Sequence, residues 1–136
     1  MEVAYVDEAV ELLEKANADL EPELLGVPEA RKRLKAYARA QRLAAFGVAA
    51  LARKIDDASE LARVTGTSLG RAKETVTTGK TLGDSDDLSE ALRHGEISLD
   101  QAAEIAKAEE SSPGAATELL AVAQEESFNV LKEKAR

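Results

Sequence analysis

The residue types best suited to chemistry lie together in residues 61 to 80, which read LARVTGTSLGRAKETVTTGK. Arginine binds guanine edges and phosphates through a planar fork, lysine binds phosphate as a point charge, and threonine hydroxyls donate to phosphate oxygens. Together with two bases further upstream, this stretch supplies the residues that we predict to bind DNA: Arg33, Lys35, Arg63, Ser68, Arg71, Lys73, Thr77 and Lys80.

The same stretch has the pattern of a helix-turn-helix, in which one helix packs across a second after a tight turn. Ala62 is small enough for the crossing, Gly66 tolerates the positive φ that the turn needs, and Ser68 is a typical N-cap for the second helix. Helical spacing predicts an inward face of Leu69, Ala72, Val76 and Gly79. It predicts an outward face of Arg71, Lys73, Glu74, Thr75, Thr77, Thr78 and Lys80.

Charge is unevenly distributed along this chain of 136 residues, whose net charge is −8. Residues 1–30 hold 9 acids against Lys15 alone, residues 31–80 hold 12 bases against 4 acids, and residues 81–136 hold 13 acids against 5 bases. The segments therefore carry −8, +8 and −8 in turn. A basic block inside an acidic chain favours binding to a polyanion such as DNA.

Several other kinds of site are disfavoured by composition. The chain has no cysteine and a single histidine, which excludes disulfides and thiolate zinc sites. His94 precedes Gly95 at a predicted helix end, where it stabilises the helix dipole. Adjacent acids such as Asp86 and Asp87 point in different directions on a helix and are interpreted as solvated. We therefore predict no catalytic residue, no metal site and no cofactor.

The composition also predicts an all-α fold of about six or seven helices, because alanine and leucine dominate and aromatic residues make up only 3%. One helix is expected over residues 2–18, and a long one from Pro28 to Ile55 whose apolar second half forms a buried centre. Ser85 or Asp86 caps a short helix, and Ser98 with Gln101 forms a capping box. Ser112 and Pro113 are predicted to start the next helix, and residues 127–136 begin a last one.

We interpret residues 1–136 as a single helical domain with three parts. These are an acidic N-terminal helix and loop (1–27), a long basic helix followed by the helix-turn-helix-like unit (28–82), and an acidic helical region that ends abruptly (83–136). The acidic N-terminus resembles neither a signal peptide nor a membrane anchor. A cytoplasmic location is expected, and no membrane partner.

Three segments, LARVTGTSLGRAKETVTTGKTL, LSEALRHGEISLDQAAEIAKA and ATELLAVAQEESFNVLKEKAR, resemble in order and spacing the actinobacterial domain of unknown function that precedes HNH endonuclease domains. The resemblance covers residues 31–136, and its most specific block is Gly95, Ile97, Ser98, Gln101 and Ala102. It implies a non-catalytic helical region that helps a nuclease engage DNA. The nuclease module itself is absent from this chain.

Two alternatives to DNA binding fit the same residues. The helix pair can be a purely structural hairpin with a solvated polar face. The chain can also be a protein-interaction or dimerisation module, in which the basic middle of one copy meets an acidic flank of a second copy, as the alternating charge suggests.

Overall fold

The computed structural model of the chain describes residues 2–125 and 128–135, and these contain helices and no strand. The all-α prediction is confirmed, with eight α-helices in the described residues where six or seven were predicted. They are α1 (Glu2–Asp19), α2 (Val27–Ile55), α3 (Ala58–Thr65), α4 (Leu69–Leu82), α5 (Asp86–Arg93), α6 (Leu99–Ser111), α7 (Ala115–Glu125) and α8 (Phe128–Ala135). A short 3-10 helix, Pro22–Leu24, follows α1. Ser127 and Arg136, at the two ends of the last predicted helix, lie outside the described residues.

Contacts between residues divide the chain into two compact units, Met1–Ala36 and Tyr37–Arg136. The boundary falls inside α2, so it does not coincide with the predicted divisions after residues 27 and 82. In the first unit, every side chain of α1 from residue 4 onward is exposed. The interpretation of the whole chain as a single domain stays a prediction.

The core of the second unit is built by α5, α6, α7 and α8. Its largest fully buried aliphatic side chains are Leu88, Leu92, Ile97, Ile105 and Leu131. Leu88 and Leu92 are four residues apart on α5 and therefore share one face of that helix. Because α6 contacts both α7 and α8, it holds the C-terminal helices together. This core positions α4, which also packs against α6.

The second half of α2 enters this core through small residues. Ala45, Ala49 and Ala52 are its buried positions, whereas Leu51 and Ile55 are 63% and 57% exposed. This half was predicted to form a buried centre, and it is buried on one side. Small side chains let α2 approach α4 closely, and the larger residues on its other side are left uncovered.

Most predicted helix ends are confirmed. Ser85 accepts a hydrogen bond from the Leu88 amide at 3.3 Å and so caps α5. Ser98 and Gln101 form the capping box of α6, with distances of 3.1 Å and 2.8 Å between side chain and backbone. These ends are local features, so the sequence is enough to predict them.

The predicted start of the seventh helix is wrong. Ser112 ends α6 and caps no helix after Pro113, and α7 begins at Ala115. The carboxylate of Glu109 instead accepts hydrogen bonds from the amides of Gly114, at 2.9 Å, and Ala116, at 3.2 Å. A carboxylate on the preceding helix thus satisfies amide donors at the start of α7 that a serine cap would otherwise satisfy.

Candidate nucleic-acid interface

The helix-turn-helix-like unit forms over α3, a three-residue turn and α4. Asp57 caps α3 by accepting from the Glu60 amide at 3.1 Å. Gly66 ends α3 at a φ of 72°, in the left-handed region that favours glycine, and its amide donates to the Ala62 carbonyl at 2.9 Å. Ser68 then caps α4 by accepting from the Arg71 amide at 3.1 Å. Two of the predicted roles, the glycine turn and the serine cap, are therefore confirmed.

The inward and outward faces predicted for α4 are only partly correct. Ala72, Val76 and Gly79 are buried as expected, whereas Leu69 is 46% exposed. Thr75 and Thr78, predicted to face outward, are buried. Their hydroxyls donate to the backbone carbonyls four residues earlier, at 3.1 Å and 2.9 Å. Since these bonds satisfy the hydroxyls within the helix, the methyl groups pack at little polar cost.

Beyond its first turn, α4 presents to solvent a narrow row of predicted DNA-binding residues, which we call the α4 stripe. It consists of Lys73, Thr77 and Lys80, all of them exposed. Spacings of four and three residues place the three side chains on one face of a helix. The stripe therefore combines two cations with a hydroxyl, the residue types that contact DNA backbones and groove edges.

Arg71 does not join this stripe. At about 100° per residue it lies roughly 160° around the helix from Lys73 and roughly 180° from Lys80. Its guanidinium forms an ion pair with the carboxylate of Asp100 on α6. The structure thus separates Arg71 from the lysines with which it was predicted to act.

Carboxylates compete for some of the predicted cations. Lys80 Nζ lies 3.3 Å from Asp56 Oδ1, in an exposed pair that is readily exchanged for a phosphate. Lys73 forms no ion pair with any residue that the structure describes. Glu74, which could repel phosphate, is bound by Lys107 Nζ at 3.0 Å. The hydrogen bond from Lys107 to Glu74 raises the pKa of that lysine, although burial acts in the opposite direction.

The other predicted DNA-binding residues lie elsewhere. Ser68 uses its hydroxyl to cap α4. Arg63 is exposed in the last turn of α3. Arg33 and Lys35 are exposed in the first unit, where Arg33 Nε pairs with Glu29 Oε1 at 3.4 Å.

Sequence reasoning missed a second group of cations. Between α2, α4 and α5 lies a cleft of about 250 Å³ that we call the basic cleft. Its cations are Arg53, Lys54 and Arg93, and Phe46, Leu82 and Ser89 line it beside them. Gly79 of α4 and Gly83, which caps the end of that helix four residues later, make it possible because they leave room for Arg53. Two glycines four residues apart at the end of a helix were the feature of the sequence that could have predicted the close approach of another helix.

Among residues 2–125 and 128–135, no group of three or more histidines and carboxylates is arranged to hold a metal ion. No helix in this part of the chain is both long enough and apolar enough to cross a membrane. Comparison of the chain with protein-family models, with curated proteins and with solved structures gave no match.

Proposed function

We propose that this chain is a non-catalytic DNA-binding or targeting module that uses the α4 stripe to contact the DNA backbone and groove. The observation that carries the proposal is that Lys73, Thr77 and Lys80 form one exposed face of α4 beyond its first turn, within a helix-turn-helix-like unit. A helix presented in this way, after a glycine turn and a serine cap, matches the way such units enter the major groove.

The surrounding charge supports the same proposal. Residues 31–80 carry +8 in a chain whose net charge is −8. The resemblance to the region preceding HNH endonuclease domains extends the proposal to a parent nuclease that this module would deliver to DNA. A cytoplasmic location is part of the same proposal.

The test is a titration of labelled duplex DNA with the whole chain at about 50 mM salt, where backbone contacts are strong. The Lys73→Ala/Lys80→Ala variant should bind at least about tenfold more weakly than the wild type if each lysine contributes about 0.7 kcal/mol. Lys132→Ala/Lys134→Ala is the matched control, since it removes the same charge from exposed positions of α8.

Two results would contradict the proposal. One is the absence of wild-type binding in the micromolar range. The other is an equal loss of affinity in the two double variants, which would show that only net charge matters. If the lysines do touch phosphates, the affinity should also depend less steeply on salt. The slope of log affinity against log salt concentration should become shallower by about 0.9 for each contact removed.

A second candidate function, a protein-interaction or dimerisation module, is favoured by a different observation. An apolar groove of about 290 Å³ lies between α2 and α3, and Leu51, Ile55 and Val64 line it while more than half exposed. Light scattering across salt distinguishes the modes of association. A dimer joined by opposite charges dissociates as salt rises, an apolar dimer persists, and a monomer at every salt concentration removes this candidate.

A further inference from the structure

The basic cleft gathers positive charge that the described residues leave largely uncompensated. Arg53 and Lys54 form no ion pair or hydrogen bond with any of them. Arg93 has one acidic partner, with 3.4 Å between its Nε and Glu90 Oε1. That carboxylate is shared with His94, whose Nε2 lies 3.0 Å from Glu90 Oε2. Three cations therefore line one small volume, and among the described residues Glu90 is the one carboxylate that forms an ion pair with any of them.

The position of Arg53 depends on two glycines. A Cβ at Gly83 would lie 2.8 Å from the guanidinium carbon of Arg53, so this guanidinium lies directly against the end of α4. A Cβ at Gly79 would lie 3.1 Å from Arg53 Cβ and would overlap the Ala49 carbonyl oxygen. The close approach of α2 and α4 thus carries Arg53 into the cleft.

The opposite wall holds Arg93 in place. Its guanidinium carbon stands 4.3 Å from the centre of the Phe46 ring, within the range of a cation–π contact. This contact keeps the guanidinium beside the Phe46 ring. Ser89, half-buried on α5, adds a hydroxyl donor to the same cleft.

Helix dipoles account for part of this arrangement. Arg53 and Lys54 occupy the last turn of α2, and Arg93 occupies the last turn of α5, where cations stabilise a helix end. That effect explains the residue types at each helix end. It does not explain why all three line the same cleft, an arrangement in which their charges repel each other unless an anion binds between them.

We propose that the basic cleft binds a phosphoryl group. Two guanidinium groups and an ammonium supply only donors, the Ser89 hydroxyl can donate one more hydrogen bond, and planar guanidinium groups match the oxygens of phosphate. The apolar residues beside them, Phe46 and Leu82, lower the local polarity and strengthen these bonds. A volume of about 250 Å³ accommodates a phosphate with part of the molecule that carries it. The cleft adjoins the buried side of α4. The proposal that it binds a phosphoryl group does not depend on the DNA-binding proposal.

The test uses the whole chain and inorganic pyrophosphate, titrated at constant ionic strength while backbone amide signals are followed by NMR. Saturable shifts are expected at Gly79, Gly83 and Ser89. Arg53→Gln should weaken binding about tenfold, as expected for the loss of one charge-assisted contact worth about 1.4 kcal/mol. Lys132→Gln, which removes an equal charge from an exposed position of α8, should leave binding unchanged.

Gly83→Ala supplies a variant that keeps every charge. Gly83 has a φ of −69°, so alanine adopts its backbone conformation. The added methyl overlaps the flexible end of the Arg53 side chain and lies 3.3 Å from the Lys80 carbonyl oxygen, so Arg53 is the group that must move. Binding of pyrophosphate should fall severalfold while the melting temperature is preserved. Shifts that do not saturate, or equal affinity in the wild type, Arg53→Gln and Gly83→Ala, would overturn the proposal.

Labelled duplex DNA identifies the source of the phosphoryl group. If it belongs to a DNA backbone, pyrophosphate competes with the duplex and Gly83→Ala weakens DNA binding. If it belongs to a free phosphate ester, the variant binds DNA like the wild type while still losing pyrophosphate. DNA binding that fails altogether while pyrophosphate binds would count against the α4 stripe and leave the cleft standing.

Discussion

The guanidinium of Arg71 pairs with the carboxylate of Asp100 and so joins the first turn of α4 to the first turn of α6. The pair lies on the side of α4 that faces away from Lys73 and Lys80. An arginine that the sequence predicts to bind DNA is thus directed to a neighbouring helix.

Arg71→Ala should therefore weaken DNA binding less than Lys73→Ala does, although both variants remove one positive charge. Arg71 already has a carboxylate partner, whereas Lys73 forms no ion pair with any described residue. Parallel titrations of one labelled duplex measure the difference. A larger loss for Arg71→Ala would show that Arg71 leaves Asp100 and contacts DNA.

Gly79→Ala should destabilise the protein by about 1–3 kcal/mol, because its methyl would overlap the Ala49 carbonyl and force α2 away from α4. Gly47→Ala is the control. A Cβ at position 47 meets nothing within 4 Å, so this change should stabilise α2 by about 1 kcal/mol. Urea denaturation measures both, and similar values for the two variants would refute the close approach of α2 and α4.

Glu109→Ala should destabilise the protein by about 0.5–2 kcal/mol, the range found when a helix loses its N-terminal cap. Its carboxylate accepts from the Gly114 and Ala116 amides and so defines the start of α7. Glu110→Ala, at the exposed neighbouring position, should change stability by less than about 0.5 kcal/mol. Thermal unfolding of the two variants separates loss of the cap from loss of charge.

Leu131→Ala should destabilise the protein by about 2–5 kcal/mol, because Leu131 is completely buried although α8 is short. An equal truncation at Leu51, which is 63% exposed, should cost less than about 0.5 kcal/mol. Chemical denaturation gives both values. A small effect at Leu131 would mean that α8 contributes little to the core.

Local rules predicted much of the candidate site. The turn at Gly66 and the cap at Ser68 follow from the conformational freedom of glycine and the hydrogen bonding of serine, which need no distant partner. The start of α7 was wrong for the opposite reason. Its cap comes from Glu109, which the turn at Gly114 brings near the start of the helix. A serine followed by a proline, as at Ser112 and Pro113, is a better-known helix start and therefore suggested the wrong position.

The order of residues was enough to predict that the chain is helical, where most helices end, and that positive charge concentrates in residues 31–80. These properties depend on single residues and their near neighbours. The burial of Thr75 and Thr78, the pairing of Arg71 with Asp100, and the sharing of one cleft by three cations follow from how the helices pack. A helical pattern shows which residues are polar, but the neighbouring helices determine which faces are covered and which charges meet.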